Sequence, residues 1–439
     1  MEIKMDFTEL LKPIRCNCGK THVCGIESVL IKKGAIGALI ELCAAYKNIL
    51  VVADENTFAA AGEQVVKVLN GRCAGVVTAV AADGTRNEEK VRTLVFDGGS
   101  VLIPDEAAIE RVKRELAGAD LIVGVGSGVI QDLCKCVSHY EGIPYMIVAT
   151  APSMDGYAST GAAMILGGMK ETVAAGLPRA IIADVDVLKN APLDMIRAGY
   201  GDIVGKYSAL SDWRLSQIVN GEYFCDYIYD ATLREVEKTI ATARGLLERD
   251  EASITALMEA LVTVGIMMSF ATSSRPASGS EHHLSHFFEI VGIVKGEKYF
   301  AHGIDVAYSA AVTAKLRESL VDKPFYTRRY RLPRAEYEAK IRSVYGSVAD
   351  GCIALQDKVG NYALDRTSVY KEKEENIKKL FAEQPSCDEI ISLLSLVGLN
   401  IDEFYSLYGE EKINNAILYA KDLKDRYTVL WLYYDMLGE

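Results

Sequence analysis

Four of the six histidines in this chain fall between positions 282 and 302, in Ser278-Gly-Ser-Glu-His-His-Leu-Ser-His286 and Ala301-His-Gly303. Imidazole is the commonest protein metal ligand, and at neutral pH it is largely deprotonated and able to bind. His282 and His286 are four apart, so on a helix they share one face. The cluster points to a catalytic metal; a solvated or interfacial histidine patch is the competing reading. Upstream, Gly199-Tyr-Gly-Asp-Ile-Val-Gly-Lys206 offers Asp202 and Lys206 on one helical face. That pair alone reads as an intrahelical ion pair, which contributes little. Together with His282 and His302, however, Asp202 would supply the carboxylate of a three-ligand site. Such a site keeps positions open for a substrate oxygen and water.

A second set of residues could hold a nucleotide. Leu121-Ile-Val-Gly-Val-Gly-Ser-Gly-Val-Ile-Gln-Asp132 is an apolar strand entering a glycine-rich turn and then a helix. Gly124, Gly126 and Gly128 remove side chains where backbone must approach a pyrophosphate, and the helix from Val129 would aim N–H groups at that anion. The spacing is GxGxGxxxD rather than the common GxGxxG. Asp54, ending the run Val51-Val-Ala-Asp54, could hold the adenosine ribose and repel a 2′-phosphate, or could cap the helix that follows. Ala149-Thr-Ala-Pro-Ser-Met-Asp-Gly-Tyr-Ala-Ser159 places hydroxyls and a carboxylate beyond another strand, although ordinary turn chemistry selects the same residues.

These residues must be positioned by two kinds of architecture. Strands are expected at Asn48–Asp54, Val76–Ala82, Leu94–Phe96, Leu121–Val125, Tyr145–Thr150 and Ala180–Val187, mostly continuous apolar runs suited to burial on both faces. Helical spacing between them, as in Phe58–Leu69 and Ile109–Leu116, implies a parallel α/β sheet of Rossmann-like, doubly wound type. Beyond about residue 190, apolar residues recur every three or four positions through Asp202–Ile218, Leu233–Leu247 and Ile254–Met268, as in a helical bundle. The expected division is a dinucleotide-binding α/β domain over 1–190 and an all-α metal- and substrate-binding domain over 191–439. The cleft between two such domains is a natural ligand site. Residues 325–385, charged and Tyr-rich, read as an extension of the helical domain.

Bulk properties narrow the function further. The 439 residues are half hydrophobic and a quarter charged, an ordinary globular composition. A net charge of −12 argues against a nucleic-acid partner, which needs clustered cations. A small anionic substrate needs only one or two. No membrane-spanning run and no signal peptide are apparent, so a soluble, cytoplasmic protein is expected. The ten cysteines are scattered. Cys16, Cys18, Cys24 and His22 form a compact group that imitates a zinc site, but the CxC spacing is shorter than the usual gap. They are expected to be thiols in a terminal β-structure rather than metal ligands.

The ordered motifs GxGSGxxxD, TAPSxDGxAS, GDxxGKxxAxxDW, SRPASGSEHxxSH and HG resemble those of sn-glycerol-1-phosphate dehydrogenases, with the bacterial AraM-type branch most similar. These lie within the iron-containing alcohol dehydrogenase, glycerol dehydrogenase and dehydroquinate synthase-like superfamily. The resemblance runs from CNCGKTHVCGIESVLIKKGA to DRYTVLWLYYDMLG, most of the chain. It implies NAD or NADP bound by Asp54, by Gly126, Ser127, Gly128, Val129, Ile130, Gln131 and Asp132, and by Thr150, Ser153 and Ser159. It implies one divalent metal (zinc, nickel or iron, with zinc the first choice) on Asp202, His282 and His302. Asp155 and His286 would contact the substrate, dihydroxyacetone phosphate or sn-glycerol 1-phosphate. The neighbouring His283 allows a one-residue shift, but the four-residue step to His286 favours His282. Ser127 stands where glycine is usual, and 325–385 exceeds the shorter archaeal members. Lys206 and Arg275 are candidates for the substrate phosphate, Arg275 equally for a structural anchor. A homo-oligomer, taken as a homodimer, is expected, acting in phospholipid biosynthesis. A polyol dehydrogenase, a dehydroquinate-synthase-like lyase and a non-catalytic nucleotide-binding protein are the rival readings.

Overall fold

The computed structural model describes residues 6–73, 90–99, 102–167, 169–325 and 332–436. The chain forms two compact units, Met1–Ile196 with Gly245–Phe270, and Arg197–Arg244 with Ala271–Glu439.

Among the described residues, the first unit holds two short hairpins and one large sheet. The hairpins are β1 (Ile14–Arg15) with β2 (Thr21–His22), and β8 (Gly161–Leu166) with β9 (Met169–Ala174). The sheet strands are β3 (Ser28–Lys32), β4 (Asn48–Asp54), β5 (Lys90–Phe96), β6 (Leu121–Gly126), β7 (Tyr145–Ala149) and β10 (Ala180–Asp184). These six run parallel in the order β3-β10-β7-β6-β4-β5. The interior strands β6, β7 and β10 are buried at every position, as continuous apolar runs require in a sheet covered on both faces. The two edge strands are less legible. β3 alternates half-buried and buried residues, and β5 begins with Lys-Val-Arg-Thr before its apolar end, because an edge strand is only partly covered. So β3 escapes the apolar-run pattern, and β5 starts four residues earlier than Leu94. The strand expected at Val76–Ala82 lies outside the described residues.

The continuous division into 1–190 and 191–439 differs from the observed units, because Gly245–Phe270 returns to the first. The helix Glu251–Ala271 packs against the turn after β7. A Cβ on Gly265 would lie 2.7 Å from the Asp155 carbonyl oxygen, and Ser269 Oγ donates to the Ala158 carbonyl at 2.9 Å. Three- and four-residue periodicity identifies a helix but not which core receives it. By length and composition this helix could cross a membrane, although Glu251 opens it and Glu259 interrupts its apolar run, and 94% of its apolar window is buried inside the protein. It is a core helix.

The second unit is helical. Its central members are Leu193–Asn220, Ser280–Lys295 and His302–Val321. Residues 325–385 contribute Arg334–Tyr345, Ala349–Val359 and Thr367–Ala382 to this same unit. Their tyrosines are anchored internally: Tyr370 Oη donates to Asp435 at 2.6 Å, and Tyr345 Oη donates to the Tyr419 carbonyl at 2.7 Å. Their weak periodicity reflects polar partners inside the unit rather than loop structure.

Candidate metal centre and cofactor cradle

In the second unit, Asp202 sits on the Leu193–Asn220 helix, His282 and His286 on Ser280–Lys295, and His302 opens His302–Val321. Two of these helices touch through glycine. A Cβ on Gly303 would lie 2.1 Å from the Ala198 carbonyl oxygen, and one on Gly201 would lie 2.4 Å from the Gly303 carbonyl oxygen. Backbone thus meets backbone beside both Asp202 and His302, which brings their side chains together.

His282 Nε2 lies 3.6 Å from Asp202 Oδ1, and the His282 and His302 rings are 5.1 Å apart. Two first-row-metal ligands at about 2.1 Å in tetrahedral geometry are about 3.4 Å apart, so the spacing fits a shared cation. The far nitrogens have partners of their own. His282 Nδ1 is 2.7 Å from Glu281 Oε1, and His302 Nδ1 is 3.3 Å from Ser285 Oγ. Ser285 Oγ also donates to the His302 carbonyl, which leaves it to accept from Nδ1–H. Both rings therefore present Nε2 lone pairs inward, the arrangement metal-binding histidines adopt. His286 is half-buried beside them, its ring centroid 5.5 Å from that of His302 and 6.1 Å from that of His282.

His283 is brought to a different place. It is fully buried, with neither ring nitrogen hydrogen-bonded. Burial holds its pKa well below the usual value, and the cations of Arg426, Lys424 and Arg275 push the same way. Of the two adjacent histidines, His282 is the one whose ring nitrogen lies 3.6 Å from Asp202.

The phosphate role expected of Lys206 and Arg275 does not match where the structure puts their charges. Lys206 is fully buried, its ammonium donating to Asp202 Oδ1 at 2.5 Å and to the Ala277 carbonyl at 3.0 Å. Arg275 grips Glu222 through Nε and Nη2 and donates to the Tyr427 carbonyl at 2.9 Å. A cation enclosed with its own carboxylate is committed by desolvation. Both instead fix the Ser273–Ser280 segment ahead of the histidine helix. Arg426 donates to the Ser278 carbonyl and Ser274 Oγ, and Asp212 Oδ2 accepts from the Ser280 N–H. Burial pushes the Asp212 carboxyl up to about 6, reinforced by nearby Glu281. Burial likewise pushes Glu281 up to about 7, against the Gly279 N–H bond and the Lys206 charge. Glu281, Ser285, Asp212 and Arg426 were not singled out from sequence. An acid directly before the first histidine, and the aspartate of the DW pair, were the available signals.

The nucleotide motif lies in the first unit. Ser127 N-caps the helix Gly128–Glu141 without a side-chain capping bond; its hydroxyl meets Ser153 Oγ at 2.5 Å and accepts from Tyr157 Oη at 3.2 Å. The Ser127 side chain thus leaves the first N–H groups of this helix uncapped, and helix N-termini favour anions. Gly126 serves packing, since a Cβ there would lie 2.6 Å from Ile130 Cβ. Within Gly128–Asp132, the stretch expected to cradle the dinucleotide, several side chains are engaged inside the unit. Ile130 is core, and the buried Gln131 donates to the Tyr157 carbonyl and Tyr145 Oη. Asp132 accepts from the Ala163 N–H of β8 and from Lys135. Lys135 also reaches Ser159 Oγ, turning that hydroxyl inward. Thr150 is buried just after β7, where its N–H bonds the Gly126 carbonyl. Asp54 takes the capping role: with Thr57 it forms a reciprocal capping box, its Oδ1 accepting from the Thr57 N–H at 2.8 Å.

Comparison with known proteins agrees with this architecture. A sequence model of the iron-containing alcohol dehydrogenase family matches residues 30–192. The glycerol-1-phosphate dehydrogenase (NAD(P)+) of Halalkalibacterium halodurans is 30% identical, over 82% of this chain and 93% of its own. That of Bacillus licheniformis is 28% identical over 94% and 90%. The crystal structure of glycerol dehydrogenase from Schizosaccharomyces pombe, 16% identical, shares the fold with a TM-score of 0.53 over 88% of this chain and 92% of that one. With the parallel sheet, the helical unit and these relatives in view, the chain belongs to the glycerol-1-phosphate dehydrogenase (NAD(P)+) family, within the iron-containing alcohol dehydrogenase superfamily.

Proposed function

We propose that this chain interconverts dihydroxyacetone phosphate and sn-glycerol 1-phosphate with NAD(P)(H), using one divalent metal held by Asp202, His282 and His302. The observation that carries the reading is that one carboxylate and two imidazoles converge with both far nitrogens already occupied. A carboxylate with two imidazoles suits zinc, nickel or ferrous iron, and zinc is our first choice. When bound, the metal supplies Lewis-acid polarisation of the substrate carbonyl. Glu281 and Ser285 hold the imidazoles in the binding tautomer, and Lys206 balances the charge of Asp202. His286, half-buried beside His302, is the residue we assign to hold or deliver the proton at the C2 oxygen. In the first unit, the helix N-terminus at Ser127, Gly128 and Val129 would take the pyrophosphate, with Thr150 and Ser153 beside it. The second carboxylate oxygen of Asp54 would take the adenosine ribose, and Asp155 would contact the substrate. We further propose a cytoplasmic homodimer.

The test is NADH oxidation with dihydroxyacetone phosphate after reconstitution with zinc, nickel or iron, with the product's stereochemistry determined. Equal turnover on unphosphorylated dihydroxyacetone would instead favour a polyol dehydrogenase. No net NADH loss with any ketone would favour a lyase that regenerates its cofactor or a protein without catalysis.

A further inference from the structure

We infer that the N-terminal hairpin carries a second, structural metal site, a zinc ion bound by Cys16, Cys18 and His22. The sequence gap of one residue argues against it, because two thiols so close in a regular strand share a face only at the expense of the residue between them and cannot wrap an ion. The hairpin removes that objection. β1 and β2 pair Ile14 with His22 and Arg15 with Thr21, so both cysteines lie in the connecting turn and not in a strand. The turn closes with the Cys16 N–H on the Lys20 carbonyl and the Gly19 N–H on the Cys16 carbonyl, Gly19 taking φ +85°. The ligand atoms of Cys16, Cys18 and His22 fall within 4.8 Å of one another, and Cys18 Sγ lies 3.5 Å from His22 Nε2. A tetrahedral zinc with S and N ligands at their usual bond lengths places those two atoms about 3.6 Å apart.

The second observation is the other side of the imidazole. His22 is 1% exposed, its Nδ1 is 3.2 Å from the Phe270 carbonyl oxygen, and its ring stacks on Phe270 at 5.3 Å. A carbonyl only accepts, so Nδ1 carries the proton and Nε2 turns its lone pair toward the thiols. That carbonyl–histidine–metal relay is what fixes a zinc-binding histidine. Neither cysteine is in a disulfide, and soft thiolate with imidazole selects zinc over the harder cations. Cys24, grouped with them by the sequence, is not among the converging atoms; it is buried, and burial raises its thiol pKa. Three ligands come from the hairpin; the fourth is a further thiolate or water. The site shares no residue with the Asp202 centre.

Metal content of His302→Ala, Cys16→Ser/Cys18→Ser and wild-type protein separates the two centres. The expectation is one equivalent of zinc lost in the double cysteine variant and one retained in His302→Ala. Cobalt loaded into His302→Ala should show intense thiolate-to-metal charge transfer, which disappears when Cys16 and Cys18 are also replaced. Should either variant fail to fold, alkylation of wild-type protein serves: Cys16 and Cys18 should be protected until a strong chelator is added. Cobalt without thiolate charge transfer, thiols equally reactive before and after chelation, or a Cys16–Cys18 disulfide in the isolated protein would overturn the inference. If only the Asp202 centre is misassigned, the wild type will hold one zinc, lost with the cysteines.

Discussion

Replacing Gly303 by alanine tests whether backbone contact between two helices builds the metal centre. An alanine Cβ at 303 would stand 2.1 Å from the Ala198 carbonyl oxygen, 2.6 Å from its carbon and 3.0 Å from its Cα. All three are backbone atoms, so no rotamer change relieves the clash. Restoring an ordinary contact of 3.4 Å or more requires the helices to part by about 1.3 Å or more. His302 is the adjacent residue on one helix, and Asp202 lies beside Gly201 on the other, so the displacement falls directly on two ligands. Metal sites tolerate about 0.2 Å in ligand distance. We expect metal affinity to fall by at least about 10- to 100-fold, the loss typical when a ligand's support is removed. Overpacking should cost about 1–3 kcal/mol of stability, partly offset by the roughly 1 kcal/mol by which alanine outranks glycine in a helix. The assay is bound metal after gel filtration against a weak chelator, with kcat/KM and thermal melting in parallel. Gly351→Ala is the control: nothing lies within 4 Å of its added Cβ, so it should leave metal content alone and stabilise slightly. Full metal and unchanged kcat/KM in Gly303→Ala would refute the reasoning.

Other perturbations follow the same geometry. His282→Gln should lose the one metal equivalent of the Asp202 centre, whereas His283→Gln should retain it and cost only stability; the reverse pattern in metal analysis would move the ligand by one residue. Lys206→Met should reduce turnover on dihydroxyacetone phosphate and on unphosphorylated dihydroxyacetone alike, because its ammonium is enclosed with Asp202; selective loss on the phosphorylated ketone would restore a phosphate role. Asp54→Gly should weaken NADH relative to NADPH and also lower stability by a few tenths of a kcal/mol through the lost cap; a stability change with unaltered cofactor preference would leave Asp54 only its capping role. Asp212, raised from 3.8 to about 6, binds its proton more tightly folded than unfolded, so its stabilising contribution is full below about 3.8 and is lost as pH rises toward 6. Between pH 4.5 and 7, Asp212→Asn should therefore gain about 2 kcal/mol relative to wild type in chemical denaturation, and a pH-independent difference would contradict this.

The sequence alone determined the features that follow from local pattern. Runs such as Leu121–Val125 and Tyr145–Thr150 read as strands buried on both faces, and the alternation with helices implies a parallel sheet. The histidine cluster with Asp202 pointed to a candidate metal centre, because imidazole is the commonest protein metal ligand, with a solvated or interfacial patch as the competing reading. Tertiary structure decided everything that depends on direction. Adjacent histidines point about a hundred degrees apart on a helix, so only packing against Asp202 separates His282 from His283. A lysine four residues after an aspartate can reach outward or inward, and the buried pairing of Lys206 with Asp202 is set by the Ser273–Ser280 segment lying across it. Gln131 and Asp132, within a nucleotide-like motif, turn inward to hold Tyr157 and β8 because the helix has only one face toward a ligand. The helix Glu251–Ala271 carries no mark of which unit owns it, since periodicity records that a face is buried and never against what. At the hairpin, spacing of one residue discouraged a metal site until the turn brought two thiols and an imidazole to one point, because a turn abandons the alternation that a strand imposes.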